Sequence, residues 1–212
     1  MTLITAVKCP TGIVVGWDSS VTTDTGEKLH CHCAKVRHLM SGPKKGSLHL
    51  GSLEEVSVKP LSLGCAGDLT SCQRILSFWY PQIPIDLDIT NHQVLLDHML
   101  RNEVPTLTHL IEEMPYSHED SGMPLDVMIL VEGQIVIIEG DYSVLIVKDN
   151  FAAIGSGSDY ALGVFYDSML QGNLHQYPWK ATGRAFEAAA YYAATVSGPY
   201  HMDLVPFPTD ED

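Results

Sequence analysis

The rhythm of apolar and polar positions changes along the chain, and each change marks a change of element. Thr2 to Val7 and Ile13 to Asp18 are rich in β-branched residues, and Lys8-Cys9-Pro10-Thr11-Gly12 between them carries the Pro and Gly of a turn. The chain is therefore expected to open as a β-hairpin, with Thr2 at the start of its first strand. After the polar loop Ser19 to Gly26, Lys28 to Leu39 reads as extended, Gly42 to Gly46 as a break, and the stretches up to Cys65 as strand. Two hairpins then occupy the N-terminal third. From Asp68 the apolar positions Leu69, Cys72, Ile75, Leu76 and Trp79 follow helical spacing until Pro81 and Pro84. A second helical region is expected from Asn91 to Met114, interrupted near Pro105.

Tyr116 to Pro124 reads as a polar loop. Val127 to Val131 and Gln134 to Ile138 then flank Glu132-Gly133, a hairpin signal, with Ser143 to Val147 as a third strand. Ser158 to Leu170 and Ala181 to Thr195 carry apolar-periodic, Ala-containing helical patterns, and His201 to Val205 reads as a last strand before the acidic Asp210-Glu211-Asp212. The order is strands, helices, strands, helices. It favours an α+β layered fold with antiparallel sheets over the strict alternation of a doubly wound fold.

With 212 residues and 45% apolar composition, one domain with a sizeable core is expected over 1–212. Lys and Arg number 12 against 26 Asp and Glu, a net charge of −14, which gives no footing for a nucleic-acid backbone or an anionic membrane. The apolar runs fall far short of the ~20 residues that span a bilayer, and no basic-then-apolar leader pattern opens the sequence. A cytoplasmic protein is expected. Its five cysteines, Cys9, Cys31, Cys33, Cys65 and Cys72, are odd in number and unevenly spaced, which suits reduced thiols rather than a disulfide framework.

A threonine hydroxyl is a poor nucleophile until a base takes its proton. A free N-terminal amine suits that task, because its pKa of about 7.7–8.0 leaves part of it neutral at pH 7. Thr2 directly follows Met1, and loss of an initiator methionine before a small residue is ordinary processing. Alone, the Met-Thr pair carries almost no information, since most such threonines simply begin a strand.

Four blocks, the first beginning at Thr2 itself, supply context. Thr2-Leu-Ile-Thr-Ala-Val-Lys with Gly12-Ile-Val-Val-Gly-Trp-Asp18, then Lys35-Val-Arg-His-Leu39, Gly64-Cys-Ala-Gly67-Asp, and Ala153-Ile-Gly-Ser-Gly157 followed by Ser-Asp-Tyr-Ala-Leu-Gly163 occur in that order. In sequence and order they resemble the proteasome β-subunit and HslV peptidase family, and the segment Ala188 to Val205, with Ser197-Gly198-Pro199, resembles its last helix and following strand. The resemblance implies a four-layer αββα sandwich of two antiparallel sheets. It also implies a threonine-type peptidase subunit of a self-compartmentalising protease, with Thr2 as the nucleophile freed by Met1 removal.

By the same resemblance, Asp18 and Lys35 form the aspartate–lysine pair beside the nucleophile, and a cation there favours the alkoxide and keeps the amine neutral. Gly67 presents a backbone N–H to the oxyanion, and Ser156 and Ser197 orient the terminal amine. Cys33 and Cys65 fall where the family shapes a small to medium apolar pocket for the substrate side chain before the cleaved bond. Ala194 departs from the pattern: many active proteasome subunits carry an aspartate three residues before the serine of the last block. Asp159, near Ser156 in sequence, is a candidate replacement, although an aspartate at a helix start ordinarily stabilises its own first turn.

No cofactor is implied. The implied partners are a peptide or unfolded protein substrate, further copies of the chain in a ring-forming homo-oligomer, and an ATP-driven unfoldase. An amidohydrolase acting on a small amide and a non-catalytic structural or assembly subunit are the alternatives on the same scaffold. His30-Cys31-His32-Cys33 contains good zinc ligands, but alternation along a strand sends the two His to one face and the two Cys to the other, so the tetrad cannot alone supply four convergent ligands. His92, His98, His109 and His118 read as surface residues, and Tyr191-Tyr192 as packing within a helix.

Overall fold

The computed structural model describes residues 2–22, 28–30, 35–39, 58–113, 123 and 125–208. Strand β1 (Leu3–Cys9) turns at Pro10-Thr11 into β2 (Gly12–Asp18), with Val7 opposite Val14, as the hairpin signal predicts. A short hairpin of β3 (Ser20–Thr22) and β4 (Lys28–His30) follows. Strands β5 (Val36–Leu39), β6 (Leu61–Gly67), β7 (Leu125–Val131), β8 (Gln134–Ile138) and β9 (Val144–Ile146) form an antiparallel sheet in chain order. The other sheet is completed by β10 (Phe151–Gly155) and β11 (Tyr200–Pro206), in the order β10-β1-β2-β11.

Alternation along the strands explains why two sheets stack and why helices cover both. In β1, Ile4 and Ala6 meet Met128, Leu130, Ile135 and Ile137 between the sheets, whereas Leu3 and Val7 point the other way, into α4 (Ser158–Leu170) and α5 (Pro178–Tyr192). In β7, Val127, Ile129 and Val131 face α1 (Leu69–Phe78), α2 (His92–His98) and α3 (Val104–Glu112). Three apolar layers separate four structural ones, giving the expected αββα sandwich. Each fully buried Leu, Ile or Phe contributes about 1.5–3 kcal/mol, so these interfaces dominate stability.

Several elements differ from the sequence expectation for local reasons. The helix around Pro105 is not broken: α2 runs through a π-helical turn, Met99–Glu103, into α3. Pro105 lacks the N–H an α-helix would use, and the widened turn, in which the Val104 N–H reaches the Met99 carbonyl, accommodates it. His98 is not a surface residue. Its side chain is largely buried, with Nε2 3.4 Å from the Glu103 carboxylate, which also accepts the Gln82 N–H. Helix α5 begins at Pro178, which suits a first-turn position, and ends at Tyr192, leaving Ala194 and Thr195 in the turn beyond it. Tyr191 and Tyr192 are exposed rather than packed in the core, and Tyr192 stacks on Tyr160. Glu132 and Gly133 take φ of 41° and 83°, the left-handed pair that a tight β7–β8 hairpin requires.

Candidate active site

Strand β1 is held between β10 and β2, so its start is fixed from both sides. Thr2, at that start, is buried, and its carbonyl accepts the Ser156 N–H at 3.0 Å. Such closeness needs the glycines of the Ile-Gly-Ser-Gly block. Gly155 has φ 93°, and a Cβ there would lie 1.9 Å from the Thr2 carbonyl oxygen. A Cβ on Gly157 would come within 2.8 Å of Val196.

Asp18 ends β2 beside the start of β1 and is completely buried. One carboxylate oxygen accepts the Leu3 N–H at 2.9 Å and the Lys35 ammonium at 2.9 Å; the other takes the Ser20 hydroxyl and, at 3.3 Å, the Ser20 N–H. Lys35, also buried, gives a second hydrogen bond to the Ser20 carbonyl at 2.5 Å. A buried ion pair repays its desolvation only when hydrogen bonds satisfy the remaining atoms, as they do here. Since an ammonium has three donors and these contacts use two, one N–H of Lys35 is left over among the contacts of the described residues.

Gly67 ends β6 with φ 149°, a conformation side-chain-bearing residues rarely adopt. Asp68 then caps α1 by accepting the Ser71 N–H and hydroxyl, each at 2.8 Å. Cys65 lies wholly inside the core between the sheet and the helices, so it shapes any neighbouring pocket only from behind. Burial raises its thiol pKa well above the ordinary value. Burial first, and then the Asp68 carboxylate, push the Cys72 thiol up to about 12, with Lys35 pulling the other way. Both thiols are neutral packing groups at physiological pH.

Ser156 is exposed, and its hydroxyl meets the Thr195 hydroxyl at 2.5 Å. Asp159 is exposed in the first turn of α4, and Thr195 rather than Asp159 is the hydroxyl partner of Ser156. The Ser197 N–H donates to the Ser20 hydroxyl at 3.2 Å, and the Ser197 hydroxyl is buried with no partner among the described residues. Thus Thr2, Asp18, Lys35, Ser156 and Ser197 gather at the β1 start through direct or one-residue links. Cys33 and Met1 lie outside the described residues.

Two members of this cluster, Ser20 and Thr195, escape a reading of the sequence. A serine two residues after an aspartate is common in turns, and Thr195 follows the departure at Ala194, which draws attention to a missing carboxylate rather than to a neighbouring hydroxyl. Cys31 to Cys33 of the His/Cys tetrad also lie outside the described residues. Among the described residues no group of three or more His, Cys, Asp or Glu side chains is placed to hold a metal, and no helix is long and apolar enough to cross a membrane.

No protein-family model matches the sequence, and no curated protein sequence does. Solved structures do match. BPH from Thiobacillus denitrificans, in complex with epoxomicin, is 17% identical with a TM-score of 0.66, covering 98% of this chain and 100% of that one. HslV from Trypanosoma brucei is 14% identical with a TM-score of 0.61, covering 96% and 99%. Anbu, an ancestral beta-subunit, from Yersinia bercovieri is 11% identical with a TM-score of 0.60, covering 96% and 81%. At these identities the likeness is one of architecture, and it extends over nearly the whole chain. The two stacked antiparallel sheets, the helices on both faces and these matches give the chain a proteasome-like αββα fold, shared with HslV and Anbu.

Proposed function

We propose that this chain is an N-terminal threonine peptidase, a subunit of a self-compartmentalising protease, in which removal of Met1 frees Thr2 as the nucleophile. The observation that carries the reading is the buried Asp18–Lys35 pair bonded to Leu3, the residue next to Thr2. A buried cation costs free energy, and its placement beside the first strand suits stabilising a developing alkoxide. Removal of Met1 exposes the Thr2 amine, which takes the proton from Thr2 Oγ1 through a water while Oγ1 bonds to the substrate carbonyl carbon. The oxyanion forms against the Gly67 N–H, the leaving amine departs with the proton, and water hydrolyses the ester to restore Thr2. In this mechanism the remaining N–H of Lys35 stabilises the Thr2 Oγ1 alkoxide as it forms. Ser156 and Ser197 hold the amine.

The match to HslV supports further proposals: a ring of identical subunits, a peptide or unfolded protein as substrate, an ATP-driven unfoldase as partner and a cytoplasmic location. Intact mass and N-terminal sequencing test the first requirement. Thr2 at the terminus is expected, and a retained Met1 leaves no free amine and defeats the mechanism. Epoxomicin, held by the Thiobacillus protein, is the natural probe: a covalent mass increase on the Thr2 peptide is expected, abolished in Thr2→Ala. Hydrolysis of small amides with no cleavage of peptides would replace the peptidase reading by an amidohydrolase one.

A further inference from the structure

Ala194 places a methyl group where the resemblance calls for a carboxylate, and the surrounding residues fill that gap in another way. Beyond α5 the Val196 N–H bonds to the Ala193 carbonyl at 3.3 Å, closing a turn that presents Thr195 to the site. Val196 is completely buried and anchors this turn in the core beneath α4 and α5. Thr195 is then held at both ends. Its carbonyl lies 2.9 Å from the Ser20 hydroxyl, and its own hydroxyl lies 2.5 Å from that of Ser156. Ser156 in turn bonds through its N–H to the Thr2 carbonyl at 3.0 Å. A chain of short contacts thus runs from Asp18 through Ser20 and Thr195 to Ser156 and the backbone of Thr2.

We propose that Thr195 is a positioning residue that orients the Ser156 hydroxyl toward the Thr2 amine, and that Ser20 locks Thr195 in place. The inference rests on the function proposed above and deepens it. A carboxylate only accepts, so it would fix the Ser156 proton on itself. A threonine hydroxyl both donates and accepts. When Thr195 donates, the Ser156 proton is free for a neutral amine; when Thr195 accepts it, a Ser156 lone pair is free for an ammonium. The pair thereby serves both protonation states the amine passes through in one turnover. Ser20 has one proton, which goes preferentially to the charged Asp18 oxygen, while its lone pairs receive the Ser197 N–H. When that proton turns instead to the Thr195 carbonyl, 2.9 Å away, it ties Thr195 to β3.

The test compares Thr195→Val, which keeps the shape and removes the hydroxyl, with Thr195→Ser, which keeps the hydroxyl, in the processed, assembled protein with a fluorogenic peptide. Losing one neutral hydrogen bond corresponds to roughly a tenfold change. Thr195→Val is expected to lower kcat about tenfold at unchanged KM, and Thr195→Ser to recover most of it. A purely structural role would instead lower melting temperature in proportion and leave kcat per folded subunit intact. Wild-type turnover with Thr195→Val at full kcat overturns this inference alone. A processed wild type no more active than Thr2→Ala overturns the proposed function and this inference with it.

Discussion

Replacing Gly155 by alanine tests whether the start of β1 is held where the chemistry needs it. The added Cβ would sit 1.9 Å from the Thr2 carbonyl oxygen. An ordinary carbon–oxygen contact is about 3.3 Å, so Thr2 or the end of β10 must retreat by about 1.4 Å. Misplacing a reacting group by 1 Å can cost about 100-fold in rate, and turnover of Gly155→Ala should fall by at least that factor. The positive φ of Gly155 adds about 1–2 kcal/mol of backbone strain, or about 2–8 °C of melting temperature for a chain this long. Gly172→Ala separates the two effects. Gly172 has φ 71° with open space where a Cβ would go, so that variant should share the thermal loss and keep full turnover. The assays are peptide hydrolysis, epoxomicin labelling of Thr2 and thermal unfolding. Wild-type turnover in Gly155→Ala would refute the claim that this contact sets the nucleophile's position.

The remaining predictions concern the buried charges and thiols. Asp18→Asn or Lys35→Met leaves one buried partner without its counter-charge and should cost about 3–5 kcal/mol of stability. The double variant should recover much of that loss in a melting experiment yet show no peptide hydrolysis; single variants that melt like wild type would mean the pair is not buried in solution. Cys72, with its pKa pushed up to about 12, should react with maleimide at pH 8 about a thousandfold more slowly in the native protein than when unfolded. Its folded pKa lies above the free value of 9.0, so the contribution is fully present below pH 9 and is lost between pH 9 and about 12. Melting temperature should decline over that window in wild type and less in Cys72→Ala.

Much of the architecture is legible in the residues because burial imposes strict periodicity. Helix α4 runs Ser158–Leu170, the span its apolar spacing predicts, and the Glu132-Gly133 turn sits between strands that need φ above zero at both positions. What escaped depended on tertiary context. Phe151–Gly155 is too short a run to distinguish from a loop until β1 supplies its partner. The π-helical turn follows from the way Pro105 meets a continuing helix, and the buried His98 from its placement beside Glu103. The site is similarly divided. Asp18 and Lys35 stand out through the family resemblance, whereas Ser20 and Thr195 acquire meaning only when residues far apart in sequence are brought to hydrogen-bonding distance.

The strand order β10-β1-β2-β11 carries a consequence for biosynthesis. Residues 3–7 find their partners at 151–155, and residues 12–18 find theirs at 200–206. Pairings of such high contact order form late, because a long loop must close before any ladder contact rewards it. A nascent chain that has emerged only as far as β9 therefore lacks both flanking strands of this sheet, the Gly155 approach and the Ser156 contact. Completion of the surroundings of Thr2 is thereby deferred until translation has passed residue 206, so that under the proposed function a growing polypeptide on the ribosome carries no finished centre.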